Sequence, residues 1–161
     1  MNLMKMFSIV WLTFLGVTQL SYAESSLVKR EEAPAKLQER ITALQKASQE
    51  KNIYPVIEAV AQEFTIERDF GGMFIQGANA VTNFLQAFQL DDSKLFEEYQ
   101  GIGWKHLSDI LEGQQLLKLS DQEYCTFGAV YHNDMVKDEK LCFKQGHFKR
   151  WFIVRIINAG D

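Results

Sequence analysis

The chain has 161 residues, 47% of them apolar and 24% charged, with 10 Gly and 2 Pro, a balance that describes one globular domain and excludes a disordered or collagen-like chain. Seventeen Lys and Arg against 21 Asp and Glu leave a net charge of −4. No surplus of cations exists to hold a polyanion, so nucleic acid is not an expected partner.

The N-terminus reads as an address. Lys5, an apolar run from Met6 to Val17 and the small-residue exit Ser21-Tyr22-Ala23 form the pattern of a secretory signal peptide over residues 1–23. The apolar run is shorter than the roughly 20 residues that span a bilayer as a helix, and no second long one follows. The mature chain is therefore not expected to be an integral membrane protein; an uncleaved anchor helix is the alternative. No Cys stands at the exit, so no lipid-modified cysteine is expected. Cleavage would leave 138 residues, the size of a single domain, in the periplasm or secreted. Residues 24–34, polar and charged, read as a mobile leader, and residues 35–161 as one domain.

Leu37, Ile41 and Leu44 recur at helical spacing and predict an amphipathic helix over residues 35–50, ended by Lys51-Asn52. Pro55 suits the first turn of a second helix carrying Ile57, Val60, Ala61 and Phe64. Residues 65–68 suggest a short strand, and Asp69-Phe70-Gly71-Gly72 a turn. A third helix is expected on Val81, Phe84, Leu85 and Phe88. Asp91-Asp92-Ser93 would cap a fourth with Leu95, Phe96 and Tyr99, broken at Gly101 and Gly103. The spacing resumes at Trp104, Leu107, Ile110 and Leu111 and stops at Gly113.

From Gln115 onward, strands are expected at residues 115–119, 123–132, 140–145 and 148–158. Helices first and strands last argue for an α+β fold, with N-terminal helices packed on a curved antiparallel sheet. Residues 150–157 read as a central strand covered on both sides, apolar apart from Arg150 and Arg155. Cys125 and Cys142 would be exported to a compartment where disulfides persist, so a bridge is expected; two buried free thiols are the alternative. Two cysteines without a closely spaced His do not complete a metal site.

Three segments resemble the nuclear transport factor 2-like, or SnoaL-like, superfamily. Residues 44–65 are similar to its opening helix pair and first strand. Gly77-Ala78-Asn79-Ala80-Val81-Thr82-Asn83-Phe84-Leu85 is similar to its G-x-x-A-hydrophobic-x-x-F-L helix start, and Phe143 to Ile153 to its terminal glycine-turn hairpin. The resemblance covers roughly residues 35–161 and implies a cone-shaped, cystatin-like roll able to enclose a small apolar molecule. The chain departs from it over residues 91–112, read as extra helix that would cover the cone's mouth or replace part of its wall. The acid and tyrosine pair of its isomerase-like members matches no motif, so the resemblance assigns no catalytic residue.

Such a cavity would hold a few polar groups among apolar walls. The pocket candidates are Arg68 and Asp69 beside the glycine turn, Tyr124 and Tyr131 on the cysteine strand, and Trp104 and Trp151. Tyr124 and Tyr131 are an odd number of residues apart, so only one can face a cavity. His106, His132 and His147 have no patterned partner and read as surface or structural residues. The phosphate-loop, nucleophile-elbow and H-E-x-x-H patterns are absent, and no cofactor is indicated. Lys144, His147, Lys149, Arg150 and Arg155 make the last hairpin locally basic, suited to an acidic partner or an anionic lipid, with a strand edge protected by positive charge as the alternative; Lys144, Lys149 and Arg150 are the partner-binding candidates.

The expected function is an exported, non-catalytic domain that binds a small apolar ligand or a protein, with a homodimer among the expected states. The alternatives are a periplasmic interaction protein of the immunity type, and an isomerase- or dehydratase-like enzyme with Asp69 as base.

Overall fold

The computed structural model describes residues 25–68, 71–91, 101–127, 130–132 and 135–159. The signal-peptide segment, Asp69 and the helix expected around Leu95 to Tyr99 lie outside them. In chain order the elements are β1 (Ser26–Lys29), a 3-10 turn at Arg30–Glu32, α1 (Ala35–Gln49), α2 (Ile53–Ala59), β2 (Val60–Arg68) and β3 (Gly71–Gln76). Then follow α3 (Ala78–Ala87), α4 (Ile102–Leu111), β4 (Gln115–Ser120), β5 (Glu123–Phe127), β6 (Val130–His132), β7 (Met135–Gln145), a 3-10 turn at His147–Lys149, and β8 (Trp151–Ala159). The class is α+β: among the described residues, four helices pack on one curved sheet of order β1-β4-β5-β7-β8-β2-β3, with β6 also paired to β7.

Three expectations change. The sheet is mixed, because β2 runs parallel to β8 while the other pairs are antiparallel. Helices and strands are interleaved, since β1, β2 and β3 precede the late strands. The second helix stops at Ala59, and Val60 and Phe64 belong to β2. Their helical spacing has a physical source: the register with β8 shifts between Val60 and Thr65, and such an irregularity breaks the two-residue alternation of a strand.

The segment expected as a mobile leader is tied down. β1 pairs with β4, placing Leu27 opposite Leu117, and Arg30 N–H donates to Gln114 O at 2.8 Å. The Arg30 guanidinium donates to Leu111 O at 3.1 Å and to Gln45 Oε1 at 2.9 Å, while Gln45 Nε2 donates to the same Leu111 oxygen at 2.8 Å. A carbonyl at a helix C-terminus carries partial negative charge and lacks an intrahelical partner. Arg30 supplies both needs, although burial lowers its pKa from the ordinary arginine value. Composition alone does not show an edge strand held by its backbone and one arginine.

Helix α1 buries Leu37, Ile41 and Leu44 as its spacing predicts, and α4 buries Trp104, Leu107, Ile110 and Leu111. Gly103 lies inside α4, where a Cβ would collide with the carbonyl oxygen of Phe88. It permits the helix to approach the end of α3. Gly101, at φ 83°, starts α4 in a left-handed conformation.

Cys125 and Cys142 face each other across β5 and β7 and form a disulfide. Nearby, the buried Leu141 N–H donates to Thr126 Oγ1 at 2.9 Å, so a side chain takes over one rung of the ladder. Between Cys142 and Phe143 the register with β8 shifts, with Cys142 opposite Arg155 and Phe143 opposite Ile153. Val154 is the extra residue. The bulge puts Trp151, Ile153 and Ile156, all buried, on the helix side and turns Arg155 to the other side. Among the described residues no helix is long and apolar enough to cross a membrane.

Candidate functional site

Between helices and sheet, the described core is rich in rings. Phe64 meets Phe84 edge-on with centroids 5.7 Å apart, Phe84 meets Phe88 at 4.9 Å, and Phe88 meets His106 at 5.4 Å, a chain running from β2 across α3 to α4. Trp104, Tyr124 and Trp151, three of the pocket candidates, are buried in the same core, and Tyr124 packs edge-on against Trp151 at 5.7 Å. These rings make up much of the described core, packed closely as protein interiors are. Arg68 closes β2 opposite Gly71, and Tyr131 stands in β6 opposite Val136. The side chains of both, and the whole of Asp69, lie outside the described residues. Three of the six pocket candidates thus lie in the described core, and the other three have no described side chain.

His106 and Glu139 meet inside the domain. His106 Nε2 faces Glu139 Oε2, joining α4 to β7, and both side chains are mostly buried. The contact ties a helix to the sheet and reaches no groove described here.

Among the described residues, a large open space lies on the far face of the sheet. A groove of about 920 Å³ crosses β7, β8 and β2 and runs out to β3. Its floor holds a three-strand ion cluster: Arg155 on β8 donates through Nη1 to Glu67 of β2 at 3.0 Å and through Nη2 to Glu123 of β5. Burial alone would lower the Arg155 pKa, but the Glu67 hydrogen bond and the Glu123 charge outweigh it and hold the guanidinium above its ordinary value. Both carboxylates are thus engaged by one arginine. Lys144 and Arg150, two of the partner-binding candidates, line the same groove. Among the described residues neither has a carboxylate within ion-pairing distance.

Aromatic side chains border this floor. Phe152 lies along it with the Arg150 guanidinium 5.4 Å from its ring centroid, Phe74 of β3 is 60% exposed and Phe148 is 90% exposed. Phe148 and the third basic candidate, Lys149, form the tip of the β7–β8 hairpin, at φ 58° and 56°. Arg150 N–H closes the turn on His147 O at 3.2 Å. A hairpin turn with two left-handed central residues normally takes Asn-Gly, and each other residue there costs about 1–2 kcal/mol. A large apolar ring displayed at that cost, with almost none of its surface covered, is not explained by packing.

Sequence reasoning singled out the basic hairpin but missed Phe74, Phe148, Phe152, Glu67 and Glu123 as parts of one face. The signal that could have found it was Arg155, a charge within an otherwise apolar strand. Among the described residues, no group of three or more His, Cys, Asp or Glu side chains is arranged to hold a metal ion.

No protein-family model matches the chain, and no curated protein does. Solved structures give similarities of shape. A nuclear transport factor 2-like protein of unknown function from Shewanella oneidensis MR-1 is 12% identical, with TM-score 0.47, covering 78% of this chain and 97% of that one. A second such protein, from Cytophaga hutchinsonii, is 8% identical with TM-score 0.43, covering 78% and 89%. A third, with a cystatin-like fold, from Novosphingobium aromaticivorans, is 12% identical with TM-score 0.40, covering 77% and 79%. The α+β class of the chain follows from its own elements.

Proposed function

We propose that this chain is an exported binding domain whose working surface is the outer face of its sheet, and that the occupant is a protein presenting an apolar segment flanked by acidic side chains. The observation that carries the reading is the exposure of Phe148 and Phe74 on the same groove. Large apolar residues that flank one concavity and are left uncovered mark an interaction surface, whereas scattered ones do not. Placement of charge selects the partner: the groove's three carboxylates and three strong bases balance formally, but Glu67 and Glu123 are held on the floor by Arg155, whereas Lys144 and Arg150 have no carboxylate partner among the described residues and are left to pair with one on an occupant. The enzymatic alternative rests on Asp69, for which no described geometry exists.

Site-specific photocrosslinking in cells that export the protein tests this. A photoreactive side chain at Phe148 or Phe74 is expected to give the same discrete adduct, weakened by Lys144→Glu. The same group at Tyr54, 75% exposed but outside the groove, should give none. An adduct of twice the chain mass would assign the groove to a second copy instead. Equal labelling from all three positions, or none from the groove, defeats the proposal.

A further inference from the structure

Behind the basic hairpin lies a second, smaller concavity that the groove does not include. It has a volume of about 260 Å³ and is lined by Lys36, Glu39 and Arg40 of α1, by Lys149 and Arg150 of the turn, and by Trp151. Four cations thus converge on it with a single carboxylate in its wall. Lys36 and Arg40 are one helical turn apart and share a face of α1. Among the described residues, none of the four cations makes a hydrogen bond or ion pair with a carboxylate.

We propose that this pocket binds a phosphate group, held between the Arg40 and Arg150 guanidiniums with Lys36 and Lys149 beside them. A guanidinium presents two parallel N–H donors matched to two oxygens of one phosphate, and it stays charged at all physiological pH values. Geometry supplies the first support: two helix cations and two turn cations, from segments far apart in sequence, face one pocket. Like-charge crowding supplies a second. The Arg40 pKa is lowered first by burial and then by the Arg150 charge, against a smaller opposing pull from Glu58. Cations that repel one another are the state a dianion relieves. Backbone geometry adds a third, because Lys149 holds a left-handed conformation in the same turn. Strain of this kind persists where the surrounding structure enforces it, and it clusters at ligand clamps.

A phosphate group could arrive on a soluble phosphate ester or on a lipid headgroup, and the exposed Phe148 ring beside Lys149 suits the second. The chemistry recognised is the same in both. The pocket is distinct from the outer-face groove, sharing only Arg150 with it, and either can fail alone because their readouts differ.

The test is titration of the purified protein with inorganic phosphate, followed by NMR at the indole N–H of Trp151, in the pocket wall. A saturable displacement is expected that weakens as salt is added. Arg40→Gln and Arg150→Gln should each weaken binding about tenfold, the share of one charge-assisted hydrogen bond, with Arg40→Lys intermediate. If the arginine variants fail to fold, Lys36→Gln at an exposed helix position should still weaken binding severalfold. A response linear in phosphate, or an isotherm unchanged by these substitutions, overturns the site. Flotation with phosphatidylglycerol vesicles, but not phosphatidylcholine vesicles, that Arg40→Gln weakens would assign the group to a lipid headgroup. Saturation by phosphate without flotation would assign it to a soluble compound.

Discussion

The two faces of strand β8 are built from neighbouring residues and do opposite work. On the helix side Trp151, Ile153 and Ile156 are buried among aromatic rings, and on the other side Phe152, Val154 and Arg155 line an open groove. A single extra residue at Val154 separates them. Strict alternation would put Arg155 on the same face as Trp151 and Ile153, where a charge without a partner cannot be accommodated. The bulge re-aims it toward Glu67 and Glu123, so one backbone irregularity both completes the core and creates the charged floor. Stability should therefore depend mainly on the inner face and binding mainly on the outer one.

The largest effect should come from the inner face. Trp151 is 1% exposed, and truncating it empties the space against Tyr124. Trp151→Ala is expected to destabilise the domain by about 3–5 kcal/mol in urea unfolding. A loss below 1 kcal/mol would mean that the inner face is not the closely packed layer described above.

An intermediate effect tests the floor of the groove. Arg155→Met removes the cation and leaves Glu67 and Glu123 facing one another. Because all three groups retain some solvent contact, the expected loss is about 1–2 kcal/mol at neutral pH, less than a fully buried cluster would give. Urea midpoints of both proteins at neutral pH give the comparison. An unchanged midpoint would show that the cluster contributes nothing to the fold.

The inner face was more legible in the sequence than the outer one. Leu37, Ile41 and Leu44, and the series from Trp104 to Leu111, announce helices because one buried stripe repeats every three or four residues. The cysteine pair and the closing strand were legible for similar reasons. Val60 to Phe64 was not, because a register shift gave a strand the spacing of a helix. Residues 26–30 were not, because their hold on the fold is backbone pairing plus Arg30 on a helix end. The ring contacts were hidden as well: each ring is visible in the sequence, but which of them touch depends on how distant segments meet. The outer groove joins Glu67, Glu123 and Arg155 from three strands distant in sequence, and no local pattern links them.

The smallest effect should have the opposite sign. Phe148 and Lys149 occupy the two left-handed positions of their turn, where Asn-Gly is the favoured pair. The double substitution Phe148→Asn, Lys149→Gly relieves a penalty of about 1–2 kcal/mol per residue. The glycine returns part of that gain by enlarging the unfolded ensemble, leaving a net stabilisation of about 1 kcal/mol. Thermal unfolding should show a modest rise in Tm. Photocrosslinking from Phe74 should show the adduct weakened in the same variant, because the most exposed ring bordering the groove has gone. A residue pair kept for stability would give the reverse result, a lower Tm with the adduct intact. Gain in stability coupled to loss of binding is what a turn selected for display predicts, since natural sequences retain local strain where function depends on it.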